Sequence, residues 1–348
     1  MFSNLKINDV ILPNRISVAP MCQYAAINGC PGNWHYGHLS QFITSGAGML
    51  TLESTAVSSD GRITTKDLSL ASVDNLKTMQ KLFSFLKSIR NMPIGIQISH
   101  AGRKGSSYVP WVKPNTTLSE ADGRWDTVSA SGISRDINWP KPKKLSISKI
   151  QQITHDFEKS AEASKNIGFD ALEVHMAHGY LLHQFFSPIS NKRNDDYGGS
   201  LKNRCRLLLE ISERVRKIWP NNKVLGARVT GCDWLEGGLM IDDCVYLVSK
   251  LKDIGFDYVS VSSGGILPIT NLVLKPSYQI HLSKEIKDRV GIITKTAGMI
   301  NSISQVEEII QNGYSDIVAV GRKFIQDPRW LYPYLKETIP NQYKRCIP

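Results

Sequence analysis

A chain of 348 residues has room for one large or two ordinary domains with a sizeable core. Its hydrophobic share of 41% and charged share of 21% describe an ordinary soluble protein and exclude a disordered or fibrous one. The formal net charge of +11 is spread over helical segments and loops, apart from a small cluster at 141–144 broken by Pro142, so a solvated surface is expected and nucleic acid is not the expected partner.

The N-terminal MFSNLKINDVILPNRI lacks a basic segment followed by an apolar core, and no apolar run approaches membrane-spanning length. The six cysteines (22, 30, 205, 232, 244 and 346) form no CxxC pair. Free thiols in a reducing cytoplasm are expected, with no metal site.

In chain order, eight apolar, β-branched runs stand out: 16–24, 49–55, 94–99, 171–175, 224–230, 258–262, 292–296 and 317–320. Amphipathic segments lie between them, among them 75–90, 149–166, 201–218, 242–254, 278–288 and 304–311. The alternation predicts a (β/α)₈ barrel formed by a single domain over 1–348. A doubly wound sheet would carry a Gly-rich turn after its first strand, and no GxGxxG follows 16–24. A barrel needs about 250 residues, so the surplus lies in loops. The largest insertion, 101–148, follows strand three, is rich in Pro, Ser and Trp, and is expected to form a lid over the barrel mouth.

Unusual polar residues fall at the predicted strand ends, where barrels bind ligands. Strand one delivers Cys22 and Tyr24, which face one side if the strand persists. Glu53 and Ser54 follow from strand two, Gln97 and His100 from strand three, and Arg228 from strand five. Strand six ends in 262–265 (SSGG), strand seven at Gly298 and strand eight at Gly321-Arg322. Any one of these could plug a barrel layer. Their joint placement on one rim points to a site.

The stretch 171–200, ALEVHMAHGYLLHQFFSPISNKRNDDYGGS, is the most informative. It opens as a buried strand and should stay a loop until Ser200 N-caps the next helix. His175, His178 and Tyr180 lie at its start. They read as structural histidines, as metal ligands lacking a completing set, or as two donors to one substrate oxygen with a tyrosine proton source beside them. Glycines and an arginine after strands seven and eight match the usual barrel phosphate site. Arg228 opposite Gln97 could clamp a flat heterocycle and stabilise negative charge on it. Together these features suggest FMN.

At this point the chain resembles the Old Yellow Enzyme family of FMN-dependent ene-reductases over nearly its whole length. The matching stretches are APMCQY at 19–24, the WH…HL pattern at 34–39, GRIT at 61–64, QISHAGRKG at 97–105, the segment 175–204, ARVTGCDW at 227–234 and VGRKFIQDP at 320–328. Cys22 and the histidine pair resemble the cysteine-containing bacterial subgroup. The resemblance implies non-covalent FMN, its ring held by Ala19, Pro20, Met21, Cys22, Ser54, Gln97 and Arg228 and its phosphate by Gly298, Gly321 and Arg322. It implies NAD(P)H as hydride donor, NADPH foremost, and activated alkenes as substrates. His175 and His178 would bind the substrate oxygen beside Tyr24, Tyr180 would protonate the α-carbon, and Cys22 would tune the flavin. An arginine in the tail motif QYxR, here Arg345, would complete the active site of a neighbouring subunit in a homo-oligomer.

His35 and His38 are assigned to helix structure. Ser54 stands where the family usually has alanine, and the tail lacks the subgroup's aromatic after the arginine. Two alternatives stay open: a tRNA-dihydrouridine synthase, suggested by Asn28-Gly29-Cys30-Pro31 and the basic charge, and a non-catalytic flavin-binding protein.

Overall fold

The computed structural model describes residues 1–269, 271–335 and 341. Eight parallel strands close a barrel in which each pairs with its neighbours in sequence. They are β1 (Ile16–Val18), β2 (Met49–Ala56), β3 (Ile94–Ser99), β4 (Ala171–Met176), β5 (Val224–Thr230), β6 (Tyr258–Ser262), β7 (Ile293–Thr296) and β8 (Ile317–Val320). The order closes where Val318 of β8 pairs with Ile16 of β1. Helices follow the strands: α1 (Asn33–Ile43), α2 (Val73–Ile89), α3 (Ile147–Ile167), α4 (Leu201–Ile218), α5 (Ile241–Ile254), α6 (Ile280–Val290), α7 (Ile303–Gln311) and the stub α8 (Arg322–Gln326).

The helices pack by their apolar stripes. In α4, Cys205, Leu208, Ser212 and Val215 recur at helical spacing and are buried. Its start is fixed as the sequence predicts, Ser200 accepting a bond from the Asn203 backbone N–H. The lower barrel mouth is closed by a hairpin, Leu5–Ile7 with Val10–Leu12. Its Ile7 and Leu12 pack on Met49, Ala171, Val224, Tyr258 and Ile317, the first residues of their strands. The carboxyl-end mouth remains for a ligand.

The fold departs from the sequence expectation in two places that shape the site. β1 stops at Val18, so Cys22 and Tyr24 lie in a loop, where Tyr24 adopts φ 50°. Between Ala177 and Ser200, expected to be loop, lies a buried six-residue helix, Leu181–Phe186. Every side chain of that helix is buried, so it has no polar face to give a helical period.

The insertion 101–148 contributes a 3₁₀ turn, Gly102–Lys104, and a two-stranded pair, Val128–Ser129 with Lys143–Lys144. Buried Arg103 ties it down, donating to the carbonyls of Ile133 and Ser134 and, at 2.9 Å, to that of Ile266 beyond β6. Trp111 sets its ring edge-on against Tyr24 at 5.7 Å. No helix among the described residues is long and apolar enough to cross a membrane.

Candidate active site

A cavity of about 370 Å³ opens at the carboxyl ends of the strands. The residues expected there that line it are Ala19, Met21, His178, Arg228, Gly298, Gly321 and Arg322. Tyr278, Gln279, Met299 and Lys323 line it too and were not singled out from sequence. Gln279 lies in a stretch with an ordinary helical pattern. Its real work is local, accepting from Ser263 at 2.9 Å and donating to the Ala297 carbonyl at 2.7 Å.

One end of the cavity is a cradle of backbone. Gly298 has φ 128°, and a Cβ there would stand 3.1 Å from both the Tyr278 ring and the Gln279 side chain. A Cβ on Gly321 would meet the Met21 sulfur at 3.0 Å. Exposed Arg322 adds the charge. With only five residues, α8 adds little dipole, so the cradle rests on backbone N–H groups and the guanidinium.

Below the cavity the barrel is crossed by a polar layer. Gln97 donates through Nε2 to Glu173 at 2.6 Å, and the other oxygen of Glu173 meets Tyr258 at 2.8 Å and Lys295 at 2.5 Å. Burial pushes the Glu173 carboxyl up, but Lys295 and Arg228 more than offset this and hold it below the usual carboxylate range. Arg228, pushed down by burial and supported by Glu173, stays a cation. Its Nε is buried without a hydrogen-bond partner. Glu173 and Lys295 were also missed from sequence, although a charge inside an apolar strand run was the available signal.

The histidine pair stands at the other side. His175 lies one residue before the end of β4, with its ring 5.1 Å from that of His178 and 4.9 Å from that of Tyr180. Burial first, then the Arg228 charge, hold both imidazoles well below the usual histidine range, so they are neutral. The Ala177 N–H donates to Nδ1 of His175 at 3.1 Å, which leaves the proton on Nε2. Burial pushes the Tyr180 phenol well up, so it keeps its proton.

The loop carrying these groups is clamped by side chains from the buried short helix. The Gly179 N–H donates to His183 at 2.7 Å, and Gln184 donates to the Gly179 carbonyl at 2.7 Å. His183 in turn contacts Asp233 at 2.9 Å. Gly179 has φ 71°, and a Cβ there would stand 2.1 Å from the Gly265 carbonyl oxygen. The approach of the two loops requires glycine.

Cys22, Tyr24 and the Ser54 backbone stay within interaction range despite the lost strand. Burial, with Glu53 and Asp67 nearby, raises the Cys22 thiol well above its usual range. It is a thiol rather than a nucleophilic thiolate. Pro20 sits between two cavity-lining residues. His35 does structural work: its Nδ1 accepts from the Gly32 N–H and its Nε2 lies 3.4 Å from Glu53. His38 stacks on Trp34, and burial lowers it to about 4. Cys30 lies in a separate surface pocket, accepting a bond from Asn75. Arg345 falls outside the described residues.

A mouth with a phosphate-sized cradle at one end and a buried, part-unsatisfied guanidinium under its floor fits a flat, charge-accepting phosphorylated group, as the FMN-binding barrels require. The chain belongs to the NADH:flavin oxidoreductase / NADH oxidase family, the Old Yellow Enzyme family, whose pattern it matches over residues 1–342. It is 38% identical to an NADH:flavin oxidoreductase of Gibberella zeae, over 97% of this chain and 85% of that one. It is 36% identical to an NADPH dehydrogenase of Listeria monocytogenes, over 99% and 98%. Among solved structures, a 2-naphthoyl-CoA reductase superposes with a TM-score of 0.84 at 22% identity, covering 95% of this chain. The chain spans 51% of that longer protein. Morphinone reductase superposes at 0.78 with 22% identity, over 100% of this chain and 90% of that one. The old yellow enzyme homologue from Zymomonas mobilis does so at 0.79 with 20% identity, over 97% and 92%. The protein is thus a barrel oxidoreductase with FMN as cofactor and a nicotinamide as reductant.

Proposed function

We propose that the protein reduces the activated C=C bond of α,β-unsaturated carbonyl or nitro compounds in a ping-pong cycle, with NADPH as the preferred donor. The donor preference follows the NADPH dehydrogenases it resembles. FMN, when bound, would supply the hydride chemistry between the nicotinamide and the alkene β-carbon. Gly298, Gly321 and Arg322 would hold its phosphate. Ala19, Pro20, Met21, Cys22, Ser54, Gln97 and Arg228 would hold its ring, and the Cys22 thiol would tune it through weak polar contact.

The observation that carries this reading is the neutral imidazole pair beside a protonated tyrosine, with His178 of the pair lining the cavity. The protonated Nε2 of His175 and the ring of His178 donate to the substrate oxygen, where negative charge gathers as hydride arrives. Tyr180 gives its proton to the α-carbon, and a weak acid suits so basic an acceptor. Tyr24 lies against the substrate, and the insertion acts as a lid that excludes water. Arg345 from a neighbouring subunit would close the pocket in a homo-oligomer.

Steady-state oxidation of NADPH and NADH against cyclohexenone, maleimide and a nitroalkene, with a tRNA control, tests the reading. Cyclohexanone formed from cyclohexenone is the expected product. Turnover of tRNA alone would contradict it, and would bring Cys30 back into question.

A further inference from the structure

A group of cations on the substrate side of the site has no task in the chemistry above. Lys104, on the 3₁₀ turn after β3, donates to the His178 carbonyl at 2.8 Å and sets its ammonium 4.8 Å from the centre of the Tyr180 ring. Arg135 stands on the insertion, stacked on Trp139 at 4.9 Å, donating to the Asn115 side chain at 3.4 Å and within electrostatic range of Lys104 and Tyr180. Arg103 backs them, its guanidinium committed to backbone carbonyls. Among the described residues neither Lys104 nor Arg135 forms an ion pair with a carboxylate. Two of the three donors of Lys104 have no partner given by the fold. Asp136 lies within electrostatic range of Arg135 and Asp233 of Arg103, but no carboxylate among the described residues supports Lys104. A buried cation left without a counter-charge opposes folding, so it is explained by a ligand that brings the missing charge.

We propose that the substrate side selects anionic ligands: an activated alkene that carries a carboxylate beyond its conjugated carbonyl, with Lys104 as the contact and Arg135 closing over it. This rests on the ene-reductase reading above. It places the carboxylate beside Tyr180 and leaves the conjugated oxygen to His175 and His178.

The groups facing Lys104 explain how it would respond. Burial, then Arg135 and Arg103, bring its ammonium down to about 7, and the nearby Cys22, a neutral thiol, supplies no counter-charge. The His178 carbonyl and the Tyr180 ring complete its surroundings, with the His175 and His178 imidazoles within electrostatic range. A bound carboxylate favours the charged form, so the anion enters together with a proton when the pH lies above that value.

The test titrates the FMN-loaded, full-length protein at pH 7 with 4-hydroxybenzoate and with its neutral counterpart 4-hydroxybenzamide, reading the flavin absorbance. We expect 4-hydroxybenzoate to bind about tenfold tighter, the scale of one charge-assisted contact. In Lys104→Gln, which keeps a donor for the His178 carbonyl, the two affinities should converge to within about twofold, and Lys104→Arg should restore the difference. At pH 8 binding of 4-hydroxybenzoate should take up protons from the buffer in the wild type and not in Lys104→Gln. Equal affinities in the wild type, with both probes perturbing the flavin, would overturn the inference. So would a Lys104→Gln variant that keeps the 4-hydroxybenzoate preference but loses discrimination between NADPH and NADH, since the anion would then belong to the nucleotide. If neither phenol perturbs the flavin, the ene-reductase reading fails first and this inference with it.

Discussion

His175 shows how burial turns an ordinary residue into a specialised one. With 2% of its surface exposed and Arg228 across the β4–β5 pairing, its imidazole stays neutral and its Nε2 proton stays available. No histidine inflection should therefore appear in enone binding between about pH 6.5 and 8. The same burial has a stability cost whose sign is fixed. The unfolded chain takes up a proton below about pH 6.5 and the folded chain does not, so stability is lost as pH falls through that value, by about 1.4 kcal/mol per pH unit from His175. Urea unfolding at pH 7 and pH 5.5 should show a smaller loss in His175→Asn than in the wild type; an equal loss would mean the imidazole is protonated in the folded protein. At this scale the sequence was partly legible. Arg228 and Gln97 stood out as polar residues in apolar strands, and the structure gives Gln97 a buried partner in Glu173. Glu173 and Lys295 passed unnoticed because each is a lone charge whose partner is distant in sequence.

The elements supply that partner. Strands β3, β4, β6 and β7 each point one polar side chain inward, and the closed barrel brings Gln97, Glu173, Tyr258 and Lys295 into one network. Removing Lys295 takes away the closest counter-charge of buried Glu173 and leaves Arg228 as the other. Lys295→Met should cost about 3–5 kcal/mol, and adding Glu173→Leu to it should recover part of that, since Arg228 then loses its own counter-charge. Chemical denaturation of the two variants checks this, and a double variant no more stable than the single one would place the cost in packing instead. Strand periodicity and caps made most elements readable, including α4 to the residue and β3, β5, β6 and β8 at both ends. Two features were not readable. β1 ends early, and its chain turns at Tyr24 through a left-handed conformation that no local residue announces. The helix Leu181–Phe186 is buried on all sides and gives no amphipathic signal.

For the whole molecule, the barrel explains why residues scattered from Ala19 to Arg322 meet: the eight carboxyl ends of its strands share one mouth. The closing of that mouth by a neighbouring subunit is a separate claim, resting on Arg345. A truncation after Gln342 should raise KM for enones about tenfold while leaving FMN bound, the loss expected of one buried charged contact. Unchanged kinetics in that truncation would return Arg345 to the surface.

The reaction itself is tested most directly by separating its two halves without oxygen. The holoenzyme is reduced with one equivalent of NADPH in a stopped-flow instrument and then mixed with cyclohexenone, while the flavin absorbance is followed. The account predicts rapid bleaching by NADPH and full recovery of the oxidised spectrum on adding the enone, with one cyclohexanone formed per flavin. Tyr180→Phe should slow the second phase and spare the first. A flavin that bleaches but recovers only when oxygen is admitted, with no cyclohexanone formed, would contradict it.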